Sequence, residues 1–208
     1  MIDHLAINLA GHKRREESRA GVMNSSLDLI SRARTGDHEA FRLLFERYAR
    51  PVLSFVYNQV GRHDVAEELT QETFVRAYSH LKDLRDEEKF STWLFGIARN
   101  VAREWIRTGA RAGFSGSANS QSVPEQHSSG DLSPADDYFE KELSNAISRA
   151  LQSLDEDRRV VFSLKVFQGT SYQEIVEITG FSLAKVKTDL HRARGEMRQK
   201  LRAYVEMK

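Results

Sequence analysis

The sequence predicts an all-α protein of two small helical domains joined by a flexible linker. Gly and Pro number only 12 and 3 in 208 residues, which favours helix. No segment alternates apolar and polar residues for long enough to indicate a strand. Ser, Gly and Pro supply 12 of the 26 residues in 112–137, a composition typical of a linker. The predicted divisions are a flexible tail at 1–23, domains at 24–111 and 135–208, and a linker at 112–134.

The composition also excludes several classes of protein. The chain has no cysteine, hence no disulfide or thiolate metal site. No stretch approaches the ~20 apolar residues of a membrane span. Near Met1 the basic residues follow a short apolar run, the reverse of a secretory signal, and Met23 offers an alternative start. The seven histidines are scattered. We therefore expect a cytoplasmic protein without membrane insertion, enzymatic activity or cofactor.

Charge alternates in sign along the chain although the net charge is only +1. Residues 61–88 carry 4 Lys or Arg against 8 Asp or Glu, and residues 89–111 carry 5 against 1. Residues 112–157 carry 2 against 9, and residues 181–208 carry 8 against 3. Two basic segments indicate two contacts with a polyanion. The acidic segments indicate either a basic partner or simple solubility.

The helices of the first domain are predicted from their caps and apolar faces. Asp37 is expected to cap a helix that Pro51 interrupts or kinks. Asp64 and Glu67 resemble a capping box, and Ser91 is a candidate cap for the next helix. The predicted inward positions are Phe41, Leu44, Phe45, Tyr48, Phe55, Val56, Leu69, Phe74, Ala77, Tyr78, Leu94, Ile97, Ala98, Val101 and Trp105.

The second domain contains a predicted helix-turn-helix. One helix opens near Ser133 and Pro134, and another runs from Asp155 to about Phe167. Ser171 and Glu174 then form a capping box. Gly180 ends that helix because glycine adopts positive φ at little cost, and Ser182 can cap the next one. Two short helices joined by a tight glycine turn are a helix-turn-helix.

The final helix separates apolar from basic residues. Its predicted inner face is Leu183, Val186, Leu190, Ala193, Met197 and Leu201. Its predicted outer face is Lys185, Lys187, Thr188, Asp189, His191, Arg192, Arg194 and Arg198. In a helix-turn-helix this helix enters the major groove with its early residues at base edges, so Arg192, Arg194 and Arg198 are better placed for phosphate. The alternative is a helical hairpin with a basic exterior.

The other basic segment combines cations with aromatic residues. Arg99, Arg103, Arg107 and Arg111 recur at i, i+4 and form one stripe, with Glu104 as the only nearby acid. Such a stripe suits a phosphate backbone. Phe90, Trp93 and Phe95 precede the stripe, and an exposed aromatic there would stack unpaired bases. The alternative is that all three are buried.

The acidic segment 64–78 contrasts with both basic ones. Early carboxylates favour the positive end of a helix dipole, which is a sufficient structural reason for some of them. DNA would repel an acidic face, however. That face therefore points away from the duplex or binds a protein.

Four segments of the sequence resemble those of the extracytoplasmic-function sigma factors of bacterial RNA polymerase. "DHEAFRLLFERYARPVLSFVY" looks like region 2.1, and "DVAEELTQETFVRAY" resembles region 2.2. "FSTWLFGIARNVAREWIR" resembles regions 2.3 and 2.4. The stretch from "LDEDRRVV" to "GEMRQKL" resembles region 4. The likeness covers about 27–111 and 138–202.

The resemblance implies partners and roles. Five residues would bind the β′ clamp helices of core RNA polymerase: Asp64, Glu67, Glu68, Gln71 and Glu72. Six residues would melt and read the promoter −10 element: Phe90, Trp93, Arg99, Asn100, Arg103 and Arg107. The loop Lys82–Lys89 would hold a flipped base. Reading of the −35 element falls to Ser182, Lys185, Lys187, Thr188, His191, Arg192, Arg194 and Arg198. The resemblance further implies contact with the β flap and control by an anti-sigma factor.

Two positions depart from the pattern of the family. Asp155 stands where the family usually has Pro, and Val176 stands where helix-turn-helix proteins usually have Ala, at the close approach of the two helices. The rival interpretation is a helix-turn-helix regulator that acts without replacing the sigma subunit. It explains the second domain equally well, but it does not explain the acidic helix beside an aromatic and basic one. A nuclease would need an acidic metal cluster, which the sequence lacks.

Overall fold

Helices joined by short turns make up the protein, as expected for an all-α chain. The computed structural model describes residues 26–111, 134–202 and 204, and none of these residues lies in a strand. The helices are α1 (26–34), α2 (His38–Val60), α3 (His63–His80), α4 (Phe90–Arg111), α5 (Pro134–Gln152), α6 (Glu156–Phe162), α7 (Tyr172–Thr179) and α8 (Leu183–Lys200). The predicted tail at 1–23 and linker at 112–134 lie outside the described residues, except that Pro134 begins α5. The predicted domain limits stay predictions.

Helix α2 is fixed at both ends by the residues that the sequence offers. Asp37 accepts hydrogen bonds from the backbone N–H groups of Glu39 and Ala40, which confirms its role as a cap. Gly61 ends the helix in the left-handed conformation with φ of 71°. Pro51 lies inside the helix, which continues across it to Val60. Of the two predicted alternatives, the interruption at Pro51 is therefore wrong, and the kink stays a prediction.

Two predicted caps of the first domain are wrong. Helix α3 follows Arg62, which makes no side-chain cap, and Asp64 lies one residue inside the first turn, where it pairs with Arg62. Helix α4 begins at Phe90 because a 3₁₀ turn, Glu87–Lys89, leads directly into it. Asp86 caps that turn, so Ser91 is an ordinary helical residue. A second 3₁₀ turn, Leu81–Asp83, follows α3.

The second domain follows its predicted signals closely. Asp155 caps α6, and a π-helical turn, Ser163–Phe167, extends it to the predicted end. Ser171 and Glu174 form the complete capping box of α7. Gly180 takes φ of 71° between the two helices, and Ser182 caps α8. The helix-turn-helix prediction is confirmed in each of these details.

The buried apolar side chains form one continuous core that spans both domains. Helix α4 packs against α7, and α2 packs against α5 and α6. Leu44, Phe55 and Leu94 lie fully buried in the first domain, and Leu164 and Ile175 lie fully buried in the second. The two domains thus contact each other directly, which their separate helical patterns did not indicate.

Candidate nucleic-acid interface

Helix α8 presents a basic face to solvent. Val186, Leu190, Ala193 and Met197 are buried along its inner side, as predicted. The side chains of Ser182, Lys187, Thr188, His191, Arg192 and Arg198 are exposed, while Lys185 and Arg194 are partly exposed. The first turn holds no acidic residue. The arrangement leaves a cationic ridge on the helix that a major groove could accept.

Lys185 is held by two carboxylates at the start of this ridge. Its Nζ lies 2.6 Å from Asp189 and 3.0 Å from Asp157, and 4.7 Å from the centre of the Phe181 ring. These carboxylates, Asp189 above all, raise the pKa of Lys185. Asp189 is only 6% exposed. Its predicted outward position is therefore wrong, because the ion pair with Lys185 folds it against the helix.

Helix α4 carries the second cationic surface, but its members differ in exposure. Asn100, Arg103 and Arg107 are exposed. Arg99 is half-buried, and burial lowers the pKa of its guanidinium. The side chain of Arg111 lies outside what the structure describes. Arg103 and Arg107 of the predicted stripe are thus exposed on α4, whereas Arg99 is partly buried.

The aromatic residues at the start of α4 divide into core and surface. Phe90 is 1% exposed and packs edge-on to Tyr48 at 5.2 Å between ring centres. The prediction that Phe90 touches DNA is corrected, because its ring is enclosed by the first domain. Phe95 is buried as well. Trp93 is partly exposed and lies 5.9 Å from the Phe90 ring, so Trp93 is the aromatic of this group that a base could reach.

An open cleft adjoins the loop that precedes α4. Ser31, Arg34, Thr35, Lys82 and Glu87 line its volume of about 290 Å³. Arg34 on α1 donates a hydrogen bond of 2.7 Å to Glu87. This ion pair ties the loop to the amino-terminal helix. No pattern in the sequence pairs residues 53 positions apart, so sequence reasoning missed it.

Helix α3 exposes the acidic surface that the sequence predicts. Its members Asp64, Glu67, Glu68, Gln71 and Glu72 are all exposed. Flanking cations engage several of them: Arg62 lies 2.6 Å from Asp64, and Arg76 lies 2.7 Å from Glu72. The hydrogen bond from Arg62 holds the pKa of Asp64 below its usual range.

The same helix leaves apolar side chains in solvent beside these carboxylates. Val75 is 60% exposed and Tyr78 is 44% exposed. The inward position predicted for Tyr78 is wrong, because its ring stacks on His38 at the edge of α2 and its hydroxyl lies 2.9 Å from the His38 Nδ1. Phe45 on α2 is 39% exposed and packs edge-on to Phe74. An acidic surface with apolar members is suited to a protein partner rather than to DNA.

Neither a metal-binding group nor a membrane-spanning helix occurs among the described residues. No group of three His, Asp or Glu side chains among them could hold a metal ion. None of the described helices is long and apolar enough to cross a membrane.

Fold and surfaces together define a helical DNA-binding protein with a helix-turn-helix and a second, aromatic and basic helix. Residues 44–112 match the family model of sigma-70 region 2, and residues 144–197 match that of sigma-70 region 4. The ECF RNA polymerase sigma-E factor of Salmonella typhimurium strain LT2 is 32% identical over 181 residues, covering 85% of this chain and 94% of the relative. The sigma-E factor of Haemophilus influenzae is 28% identical and covers 83% and 93%.

Two solved structures are similar over both domains. CnrH in complex with the cytosolic domain of CnrY matches with a TM-score of 0.62 at 25% identity, covering 86% of this chain and 98% of that one. The sigma factor RpoE in complex with the anti-sigma factor NepR from Bartonella quintana matches with a TM-score of 0.61 at 25% identity, covering 78% and 96%. The chain belongs to the extracytoplasmic-function sigma factors, which bind core RNA polymerase and direct it to promoters. Its family is one of transcription initiation factors, and the rival interpretation as a separate regulator is not favoured.

Proposed function

We propose that three surfaces divide the work of this sigma factor. The acidic surface of α3 docks on the clamp helices of the polymerase β′ subunit. Helix α4 and the loop before it melt and hold the −10 element, and α8 reads the −35 element in the major groove. The observation that carries the proposal is the exposed acidic surface of α3 in the same domain as the basic α4, because one domain then meets both a basic protein and an acidic duplex.

The division among α4 side chains follows from their exposure. Trp93 is the stacking partner for an unpaired base, since stacking on an aromatic contributes about 1–3 kcal/mol per base. Arg99, Arg103 and Arg107, with Asn100, contact the phosphates and base edges of the opened strand. Phe90 supports Trp93 from beneath through their ring contact. The cleft bounded by Arg34, Lys82 and Glu87 receives the base that leaves the stack, at a cost of a few kcal/mol for unstacking.

Helix α8 combines base readers and phosphate contacts. Ser182, Lys185, Lys187 and Thr188 lie in its amino-terminal turns, which reach base edges in this geometry. His191, Arg192, Arg194 and Arg198 follow and suit phosphates. Lys and Arg pair well with the two guanine acceptors in the major groove. Lys185 must exchange at least one of its carboxylate partners for DNA when it reads a base.

The chain acts without cofactor, catalyses no reaction itself and works in the cytoplasm with its polymerase. An anti-sigma factor controls it: one structural neighbour is a sigma factor bound to an anti-sigma factor. Such a protein inhibits most directly by covering α3 or α4. The second domain also packs on the β flap of the polymerase.

Charge reversal on α3 tests the docking surface. The double variant Glu68→Lys with Glu72→Lys should abolish binding to purified core polymerase, measured by native gel shift, while the thermal melt stays close to that of the parent. The matched control is Glu39→Lys with Glu46→Lys, which makes the same change in charge on exposed positions of α2. Unchanged polymerase binding by the α3 variant, or equal loss in both variants, would refute the assignment.

A further inference from the structure

We propose that Arg34, the last residue of α1, positions the loop 81–89 between α3 and α4 for base capture, and that it does so through its ion pair with Glu87. The inference rests on the proposed function of the cleft beside this loop, since it concerns how that same site is held in shape. The family model of sigma-70 region 2 begins at residue 44, so α1 lies outside the residues that this model matches.

The cleft has two walls that come from different parts of the chain. Ser31, Arg34 and Thr35 form one wall, on α1 and the turn that follows it. Lys82 and Glu87 form the other wall, on the loop. The guanidinium of Arg34 donates a hydrogen bond of 2.7 Å to the carboxylate of Glu87, so this ion pair joins the two walls. The shape of the cleft therefore depends on Arg34.

The wall on α1 is fixed to the body of the first domain. Leu29, Ile30 and Ala33 are buried in the core, so apolar packing anchors the helix that carries Arg34. Arg34 also lies in the last turn of α1, where the negative end of the helix dipole favours a cation. Arg34 is thus a firmly held residue from which a side chain can restrain a less firmly packed segment.

The wall on the loop has few anchors of its own. Leu84 and Phe90 are buried, which fixes the chain on either side of residues 85–89. Of these five residues, four are exposed and Glu87 alone is partly buried. Lys89 contacts the second domain through Glu177. Segments with few buried apolar contacts open most easily, so the ion pair of Glu87 with Arg34 is what attaches the middle of the loop to the first domain.

Partial burial makes this ion pair more effective than an exposed pair on the same helix. The side chains of Arg34 and Glu87 are 33% and 27% exposed, whereas those of Arg32 and Asp28 are 48% and 65% exposed. Solvent and salt screen a partly buried pair less than an exposed one. When a site is only partly in its competent form, its apparent affinity falls by that fraction. Loss of the pair should therefore weaken base capture by about fivefold, near the upper end for a pair that is still partly exposed.

Two arginines on α1 provide a matched test. Arg34→Met removes the ion pair with Glu87 and nearly keeps the length of the side chain. Arg32→Met makes the same change two residues earlier, where the ion pairs removed are those with Asp28 and Asp37. Arg34→Lys is the conservative variant, because it keeps the positive charge. Thermal melts establish that all variants are folded.

The measurement uses the full-length chain bound to core polymerase. The probe is a promoter fragment whose −10 segment is single-stranded on the non-template strand, taken from the promoter at which the parent holoenzyme starts most transcripts in a library. Fluorescence anisotropy gives the affinity for the intact fragment and for a series in which one base at a time is replaced by an abasic site. An abasic site keeps the sugar and phosphate but offers no base to the cleft.

The expected outcome links Arg34 to a single base. Arg34→Met should weaken binding of the intact fragment by about fivefold, Arg34→Lys should weaken it less, and Arg32→Met should leave it unchanged. At one abasic position Arg34→Met should bind as tightly as the parent, because the captured base is gone from both complexes. Equal loss on every abasic fragment would make Arg34 a phosphate contact or a general support of the fold. Either that result or the absence of any loss on the intact fragment overturns the proposal.

A double-mutant cycle tests whether Arg34 acts through Glu87. Relative to Glu88→Gln, which makes the same change in charge in the same turn, Glu87→Gln should weaken binding of the intact fragment about as much as Arg34→Met. The double variant Arg34→Met with Glu87→Gln should lose no more than either single variant. Additive losses would mean that the two residues contact DNA separately, which overturns the positioning role.

The abasic series also separates this inference from the proposed function. If no abasic site weakens binding by the parent holoenzyme, the cleft captures no base and its proposed function fails. If one site does weaken binding, and Arg34→Met and Arg32→Met behave alike there and on the intact fragment, base capture stands and the positioning role of Arg34 is wrong.

Discussion

The two basic helices look alike in sequence, yet the structure places them in different situations. On α8 the cations project from an 18-residue helix that Ser182 caps at its amino end, and the partners of Lys185 lie in the same domain. On α4 the cations Arg99 and Arg103 contact Phe181 and Glu156 of the other domain. A stripe of basic residues in the sequence therefore does not indicate whether those residues are accessible to DNA. Helix α8 keeps most of its cations exposed to solvent, whereas two cations of α4 contact the other domain.

The largest expected effect separates core from surface on α4. Phe90→Ala removes a buried ring and should lower the free energy of unfolding by about 3–5 kcal/mol, measured by urea denaturation. Trp93→Ala should cost less stability because its ring is only partly buried. It should, however, weaken single-stranded DNA binding by about 1–3 kcal/mol through lost stacking.

The reverse pattern would contradict the assignment of Phe90 to the core and of Trp93 to the DNA surface. A folded Phe90→Ala variant with parental stability and impaired promoter melting would return Phe90 to the DNA surface. A Trp93→Ala variant that melts promoters as well as the parent would remove the stacking role from this helix.

Local signals in the sequence predicted the second domain well because its caps depend on neighbours a few residues apart. Ser171, Glu174, Gly180 and Ser182 all act within one or two turns, and all behave as predicted. The same reasoning failed at Asp64, where Arg62 offered a competing ion pair, and at Ser91, where a 3₁₀ turn extends the helix upstream.

Contacts between distant residues were beyond sequence reasoning. The hydrogen bond from Lys89 to Glu177 spans 88 positions, and that from Arg159 to Gln59 spans 100. A Lys and a Glu so far apart carry no periodic signal, and an exposed charge is usually solvated. The surfaces of α3, α4 and α8 could thus be predicted as charged helices, but the partial covering of α4 could not.

A medium effect is expected from the start of α8. Lys185→Ala should change the preferred base at one position of the −35 element and cost about 1–3 kcal/mol for the preferred sequence. Lys187→Ala, at an exposed position two residues further along the helix, serves as the comparison. Binding to a library of duplexes measures both.

Two outcomes would contradict this assignment of Lys185. Uniform weakening across all sequences would make Lys185 a phosphate contact. An altered base preference in Lys187→Ala alone would make Lys187 the residue that reads the base. Lys185 would then serve mainly to hold Asp157 and Asp189.

The smallest expected effect compares two arginines on α4 and bears directly on its shared surface. Arg103→Ala and Arg107→Ala each remove one phosphate contact, and together they should weaken promoter melting more than −35 binding. Each change should also lower the salt dependence of single-stranded DNA binding by about one unit of slope. Arg103 contacts Glu156 of the second domain, so in the free chain Arg103 has to leave that carboxylate before it binds a phosphate closely. We therefore expect Arg107→Ala to weaken binding by about fivefold in the free chain, or about 1 kcal/mol, the net contribution of one typical hydrogen bond, and Arg103→Ala to weaken it less. Equal losses for the two variants would mean that the contact of Arg103 with Glu156 does not compete with DNA.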